Sequence, residues 1–260
     1  MARTYVITGS ASGVGAAAQA KLEDQGHRVI GIDLTGAEIA ADLSTPAGRA
    51  EAVRQVEERT DVVDAVIASA GLSDPVAVTV AVNYFGVTGV LEGLRPLLVK
   101  SSAPRAVVVS SMATLQPNSP ELVEACLAGD ENRAMDLAAT LEAQGPGPGY
   151  LNYPSSKRAI SRWVRRESIT PEWAGKGIAL NAVAPGVILT PMTEQLLATP
   201  ESTAMVDAQV PMPLNYHQEA GAVADLLIWL TSTENSHCAG QTIYCDGGAD
   251  AVLRGDDVWN

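Results

Sequence analysis

The strongest constraint on the fold is a regular alternation of short apolar runs with longer amphipathic segments. Seven apolar runs are predicted as strands, at residues 5–8, 28–33, 39–43, 65–69, 106–110, 178–183 and 241–245. Four amphipathic stretches are predicted as helices, at residues 46–60, 80–100, 153–169 and 220–231. This alternation indicates βαβ units. We therefore expect an α/β fold with a doubly wound parallel sheet of about seven strands, helices on both faces, and a single domain over residues 1–260.

The composition excludes several classes of protein. With 17 basic and 30 acidic residues the net charge is −13, which argues against binding to nucleic acid. The three histidines and three cysteines lack the spacing of metal ligands, so no metal site is predicted. No apolar run is long enough to cross a bilayer, and we expect a cytoplasmic protein without a membrane partner.

Two segments interrupt the alternation. Residues 115–149 contain helix-like stretches at 121–127 and 132–144 and end in Gly-Pro-Gly-Pro-Gly, which cannot continue a helix. Residues 187–217 lie between a strand and a helix, where a substrate lid is expected. Either ordinary packing or the lining of an apolar pocket explains the apolar residues of the second segment, which are Val187, Ile188, Leu189, Met192, Leu196, Leu197, Met205 and Met212.

A glycine-rich turn follows the first predicted strand and begins a helix. Its glycines allow a tight turn and let the backbone approach a pyrophosphate at the positive end of the helix. Asp33 ends the second strand, where a carboxylate accepts hydrogen bonds from ribose hydroxyls and repels a 2′-phosphate. Leu34 supplies no cation for that phosphate. The pattern predicts a Rossmann-type site for NAD rather than NADP, and its turn residues are Gly9, Ser12, Gly13, Val14 and Gly15.

A second group of residues predicts acid/base chemistry. Tyr153 and Lys157 are four residues apart and share one face of a predicted helix. An ammonium beside a phenol stabilises the phenolate and lowers the tyrosine pKa, as a general acid/base requires. An amphipathic surface helix would carry the same pair by chance. Ser110-Ser111 at a strand end and Asn83 at a helix start are also present, which favours a catalytic group of residues.

Taken together, these motifs resemble the short-chain dehydrogenase/reductase family over essentially the whole chain. The matching pieces are residues 8–15, 42–43, 69–71, 82–83, 110–111, the Tyr153/Lys157 pair, Asn181, 185–186 and 246–248. Residues 31–33, 41–45 and 82–86, with the long segment before Tyr153, are most similar to the bacterial 3α-hydroxysteroid dehydrogenase/carbonyl reductase group.

The resemblance implies a role for each matching residue. Tyr153 exchanges a proton with the substrate oxygen, and Lys157 holds the nicotinamide ribose and lowers the tyrosine pKa. Ser111 hydrogen-bonds the same oxygen, with Ser110 as the alternative, and Asn83 supports a water that relays protons. The remaining cofactor contacts fall on Asp42 (adenine), Leu43, Ala70, Gly71, Pro185, Gly186, Val187, Ile188 and Thr190 (nicotinamide carboxamide or phosphates).

One spacing departs from the family pattern. Ser111 and Tyr153 are 42 residues apart, far more than is common in the family, and the excess is the insert at residues 115–149. Many family members form tetramers through helices that include the one starting at the catalytic tyrosine. We therefore expect a folded insert that modifies this interface, giving a homodimer or, second, a homotetramer with the insert in the contact. The C-terminal segment ending in Val258-Trp259 is the alternative pairing surface.

The expected activity is NAD(H)-dependent interconversion of a secondary alcohol and a ketone. The substrate is expected to be a hydrophobic cyclic or aromatic compound such as a 3α-hydroxysteroid, with aryl or terpenoid alcohols as alternatives. A non-catalytic NAD-binding protein would lack Tyr153 or Lys157, and both are present. An acyl-carrier-protein ketoreductase usually has a basic docking surface, whereas this chain is acidic. A sugar-nucleotide epimerase needs a larger C-terminal domain than these 260 residues supply.

Overall fold

The computed structural model describes residues 2–214 and 216–258. Residue 215 of the predicted lid and Trp259 of the predicted pairing surface lie outside the described residues. The strands are β1 (Thr4–Thr8), β2 (Arg28–Asp33), β3 (Ile39–Ala40), β4 (Ala65–Ala68), β5 (Arg105–Val109), β6 (Ala179–Pro185), β7 (Ile188–Leu189), β8 (Gln218–Glu219) and β9 (Thr242–Cys245).

The helices alternate with these strands. They are α1 (Gly13–Asp24), α2 (Pro46–Glu57), α3 (Val78–Val80), α4 (Val87–Leu98), α5 (Pro120–Leu127), α6 (Glu131–Ala143), α7 (Pro146–Tyr150), α8 (Asn152–Glu167), α9 (Pro200–Gln209), α10 (Ala220–Thr231) and α11 (Ala249–Arg254). A π-helical segment (Ala81–Gly86) joins α3 to α4, and 3₁₀ turns occupy Met112–Leu115 and Ala174–Lys176.

Seven parallel strands form the central sheet in the order β3-β2-β1-β4-β5-β6-β9. Side chains alternate across it, so Val6 faces one apolar core while Tyr5 and Ile7 face the other. Helices α2, α4, α5 and α8 cover the first face, and α1 and α10 cover the second. The predicted fold class is confirmed.

The third strand ends earlier than predicted, at Ala40 rather than residue 43. The Asp42 carboxylate accepts a hydrogen bond from the Ser44 amide at 2.9 Å, which turns the chain away from the sheet. Thr45 then accepts from the Gly48 amide and caps α2. Local side-chain bonding here competes with extension of the strand.

A single helix predicted at residues 80–100 is interrupted by the π-helical segment. Asn83 lies within this segment and is fully buried. The wider turn changes the direction of the side chains that follow it, and such segments are frequent at functional sites. Apolar periodicity does not reveal a π-turn, because the residues on both sides keep a helical pattern.

The insert is folded and contributes to the main core. Helices α5 and α6 begin one residue before the predicted stretches and are capped by Ser119 and Asp130. Leu122, Val123 and Cys126 are buried in the core that the sheet shares. Gly145, at φ 103°, ends this helical run, and the Gly-Pro-Gly-Pro-Gly stretch then starts the short helix α7 instead of remaining irregular.

The segment at 187–217 is attached more loosely. Strands β7 and β8 pair with each other outside the main sheet, and α9 has no buried residue. Val187 and Val210 pack against Met112 and Ala249. Among its described residues, the exposed large apolar side chains are Leu189, Met192, Leu196, Met205, Leu214 and Tyr216.

Candidate active site

A cleft of about 350 Å³ opens where the strand order of the sheet reverses, at the carboxyl ends of β1 and β4. Most of the predicted cofactor residues line it: Gly9, Ser12, Gly13, Val14, Asp33, Asp42, Leu43, Ala70, Gly71, Pro185, Gly186, Ile188 and Thr190. Ser111, Tyr153 and Lys157 lie in the same cleft. Gly15, Asn83 and Val187 lie behind its wall instead of lining it.

The glycine turn is packed too tightly for side chains. A Cβ on Gly9, whose φ is +69°, would lie 2.8 Å from the Ala70 backbone. A Cβ on Gly15 would lie 2.0 Å from the Gly9 carbonyl oxygen. The Thr8 hydroxyl accepts from the amides of Ser69 and Ala70, each at 3.1 Å. These contacts hold the loops after β1 and β4 together. Gly15 contributes to the same turn by allowing close packing against Gly9.

The Asp33 carboxylate faces the cleft from the end of β2. One oxygen accepts from the Ala11 amide at 3.0 Å and the other from the Leu34 amide at 2.7 Å. Among the described residues that line the cleft, Lys157 alone carries a cationic side chain. The end of the cleft at β2 therefore presents an oriented negative charge.

Tyr153 and Lys157 lie at the opposite end of the cleft. The Ser111 hydroxyl lies on the Tyr153 side of the cleft and favours the ionised phenol. Lys157 donates from Nζ to the Val109 carbonyl at 2.9 Å, and Nζ lies 5.9 Å from the Tyr153 ring centroid. This arrangement brings an acid, a hydroxyl and a cation to one point.

Burial dominates the electrostatics of this pair. Burial raises the pKa of Tyr153 to about 12, and the hydrogen bond from Ser111 opposes this shift. Burial also lowers the pKa of Lys157 to about 8. Desolvation is the largest effect on both groups, and the lowering of the tyrosine pKa by Lys157 stays a prediction.

The geometry separates the two serines that end β5. The Ser110 hydroxyl bonds to the Ser161 hydroxyl at 2.7 Å and donates to the Lys157 carbonyl at 3.2 Å, behind the site. Ser111 faces Tyr153, and its oxygen accepts from the Ala113 amide at 3.0 Å. Of the two, Ser111 is the serine that acts on the pKa of Tyr153.

Asn83 reaches Tyr153 through a residue that the sequence reasoning missed. Its side-chain nitrogen donates to the Leu72 carbonyl at 2.9 Å and to the Ser156 hydroxyl at 3.0 Å. Ser156 in turn donates to the Tyr153 carbonyl at 2.7 Å. The signal available in the sequence was the position of Ser156 between Tyr153 and Lys157.

Two absences concern the described residues only. Residues 2–214 and 216–258 contain no group of three His, Cys, Asp or Glu side chains placed to hold a metal ion. Within the same described ranges, no helix has the length and apolar character needed to span a membrane.

The sheet order, the glycine turn at its reversal point and the Tyr153/Lys157 pair define a dinucleotide-binding α/β protein with an acid/base centre. A family model described as short chain dehydrogenase matches residues 3–123, and one described as enoyl-(acyl carrier protein) reductase matches residues 121–250. The chain belongs to the short-chain dehydrogenase/reductase family, as predicted, and is an oxidoreductase that uses a nicotinamide cofactor.

Two similar proteins cover almost the whole chain. The 3-alpha-hydroxysteroid dehydrogenase/carbonyl reductase of Comamonas testosteroni is 37% identical over 255 residues, which is 96% of this chain and 97% of that protein. The crystal structure of the 3-alpha-hydroxysteroid dehydrogenase from Pseudomonas sp. B-0831, complexed with NADH, is 41% identical with a TM-score of 0.89, covering 98% of this chain and 99% of that one. Levodione reductase, 21% identical with a TM-score of 0.75 over 96% of this chain and 98% of its own, shares the fold.

Proposed function

We propose that this enzyme uses NAD(H) to interconvert a secondary alcohol and a ketone, with Tyr153 as the general acid/base. The observation that carries the proposal is the convergence of Tyr153, Ser111 and Lys157 at one end of a cleft whose other end holds Asp33. A dinucleotide held by its adenosine end near Asp33 would place its nicotinamide beside the acid/base group, as hydride transfer requires.

The residues present fit a dinucleotide. The glycine turn leaves no room for a Cβ at Gly9 and exposes backbone at the start of α1, where a pyrophosphate is stabilised. Asp33 is oriented to accept hydrogen bonds from ribose hydroxyls, and its charge opposes a 2′-phosphate. The similar Pseudomonas enzyme was crystallised with NADH, which supports the same choice of cofactor.

The proton chemistry follows from the two pKa values. When bound, the nicotinamide supplies or accepts the hydride. The Tyr153 phenol, with a pKa of about 12, is protonated at neutral pH and can donate to a ketone oxygen. Ser111 donates a hydrogen bond to the same oxygen, and the Lys157 ammonium stabilises the phenolate that forms. Asn83 and Ser156 hold the backbone at Tyr153 during the transfer.

A hydrophobic cyclic substrate suits the entrance to the cleft. Ile188 and Met192 from the predicted lid line the cleft beside Pro191. Two relatives that cover almost the whole chain at 37% and 41% identity are named for 3α-hydroxysteroids, which supports a substrate of that class. An aryl or terpenoid alcohol is the second candidate, because apolar walls and one polar end accept either shape.

A substrate panel tests the proposal. Purified enzyme is assayed with 3α-hydroxysteroids, their 3β-epimers, aryl alcohols and monocyclic terpenoid alcohols, with NAD or NADP, by absorbance of the reduced cofactor. We expect the highest kcat/KM for a 3α-hydroxysteroid with NAD, and reversal with the ketone and NADH. Activity confined to primary alcohols, or to NADP, would contradict the proposed function.

A further inference from the structure

The insert is bonded to both walls of the catalytic end of the cleft. On the side of α8, the Ser119 amide donates to the Ser155 hydroxyl at 2.9 Å. On the opposite side, the Glu142 carboxylate accepts from the Ala77 amide at 2.7 Å, in the loop that follows Gly71 and Leu72. The insert therefore connects the start of the catalytic helix to the loop after β4.

Asn152 is the central contact of this connection. It is the first residue of α8, precedes Tyr153 directly and is fully buried. Its side-chain nitrogen donates to the Ala138 carbonyl of α6 at 3.1 Å. The insert thereby holds the turn of backbone from which the Tyr153 side chain leaves.

The stability of the folded state does not explain why residue 152 is an asparagine. Its Oδ1 atom is buried and finds no donor among residues 2–214 and 216–258. An unpaired buried acceptor is unfavourable, so an apolar side chain of similar size would serve packing alone better. The Ala138 carbonyl lies inside α6, where the helix already provides it with a donor. The bond from Asn152 therefore fixes the position of α8 against α6 at a cost to stability.

We propose that Asn152 is a positioning residue that sets the orientation of Tyr153 through its bond to the insert, a role that rests on the proposed function of Tyr153. The insert is then part of the active-site framework as well as a surface feature. A shift of the start of α8 moves the phenol relative to Ser111 and to the substrate oxygen, and displacements of about 1 Å are enough to slow such reactions by roughly 10²-fold.

Two variants test the role. Asn152→Ala removes the bond, and Asn152→Leu removes it while keeping the volume and eliminating the unpaired acceptor. For both, we expect kcat to fall by about 10-fold or more, with KM for the alcohol and NADH affinity, measured by fluorescence, close to wild type. Asn152→Leu should keep or raise Tm while kcat falls. If Asn152→Ala fails to fold, Asn152→Leu carries the same expectation.

The pH dependence of alcohol oxidation distinguishes a change in the orientation of Tyr153 from a loss of folded protein. The ionisable groups that face Tyr153 are Lys157 and Tyr150. Weakening the bond from Ser111 removes a stabiliser of the phenolate, so the midpoint of the rise in kcat with pH should move upward in both variants. A smaller folded fraction lowers the rate at every pH without moving that midpoint.

The matched control breaks another contact between the insert and α8. Glu124→Gln removes an exposed ion pair with Arg162, 2.6 Å in length, and should leave kcat and the pH midpoint unchanged. Wild-type kcat and pH midpoint in folded Asn152→Leu would overturn the inference. Assaying Tyr153→Phe alongside distinguishes the two claims, because an active Tyr153→Phe enzyme would refute the proposed function itself.

Discussion

At the scale of single residues, we predict that Asp33 sets which nicotinamide cofactor the site prefers. Its carboxylate is held in place by the amides of Ala11 and Leu34. The wild type should favour NAD(H), because a 2′-phosphate beside Asp33 meets like charge without a paired cation. Asp33→Arg should reverse the preference and Asp33→Ala should narrow it, as measured by kcat/KM with each cofactor.

The control for this prediction is Asp42→Asn, which removes a second acidic group from the same cleft without touching the ribose position. It should leave the preference for NAD(H) largely intact. Equal kcat/KM for NAD and NADP in the wild-type enzyme would contradict the role of Asp33.

Lys157 carries a stability cost that depends on pH. Burial lowers its pKa to about 8 from an ordinary value of 10.5, so between those values the unfolded chain binds more protons than the folded one. The free energy of unfolding therefore rises as pH increases from about 8 to about 10.5, and the full cost applies below about pH 8. Lys157→Met should remove it, raising the free energy of unfolding by roughly 2–3 kcal/mol at pH 7 and by less at pH 9.5.

Urea unfolding at both pH values measures this gain, and kcat should fall in the same variant. Lys100→Met makes the same chemical change at an exposed site and should give no comparable gain. A Lys157→Met protein less stable than wild type at pH 7 would contradict the assigned cost.

At the scale of elements, the sequence predicted the strands, helices and motifs whose positions depend on nearby residues. The strands and the helices that follow them are set by apolar alternation, and the glycine turn, Asp33 and the Tyr153/Lys157 pair are motifs with fixed spacing. Other contacts join residues far apart in sequence. Asn152 bonds 14 residues back into α6, and Ser156 bonds to Asn83, 73 residues away. No local pattern encodes such partners, which depend on how elements distant in sequence pack together.

One of these long-range contacts joins the insert to the nucleotide-binding half. Arg49 of α2 donates to both oxygens of Glu131 in α6 at 2.8 Å, across 82 residues of sequence. The Arg49 side chain is 9% exposed, and its second terminal nitrogen has no partner in the part of the chain that the structure describes. Glu131→Ala should lower the free energy of unfolding by about 3 kcal/mol, because it leaves a buried cation uncompensated.

Chemical denaturation of Glu131→Ala and of Glu51→Ala provides the comparison. Glu51 pairs with Arg54 on the exposed face of α2, where such pairs contribute less than about 1 kcal/mol. Equal losses in the two variants would show that the Arg49 pair is not a structural link.

At the scale of the whole molecule, the insert changes which surfaces are available for assembly. Helix α5 packs along α8 in the same chain, where Arg166 donates to the Leu127 carbonyl at 3.0 Å. Many family members form tetramers through helices that include the counterpart of α8, so we predict that the insert alters this interface. Light scattering should therefore give twice the chain mass of 27.0 kDa rather than four times it.

Surface variants locate the contact. Leu253 is exposed near the C-terminus, and Leu253→Glu should shift a dimer toward monomer. Ile169, exposed just past α8, lies on the other candidate surface, and Ile169→Glu should leave the dimer intact. A tetramer in the wild type, dissociated by Ile169→Glu alone, would show that the α8 surface still pairs.

The most direct test of the whole account is the turnover of Tyr153→Phe. This change keeps the ring and removes only the exchangeable proton, and Tyr150→Phe, whose ring lies 6.2 Å away, is the matched control. We predict that kcat of Tyr153→Phe falls by ~10²–10⁴-fold, while NADH still binds with wild-type affinity and Tyr150→Phe keeps most of its activity. Near-normal turnover of Tyr153→Phe with a good substrate would contradict the assignment of Tyr153 as the general acid/base.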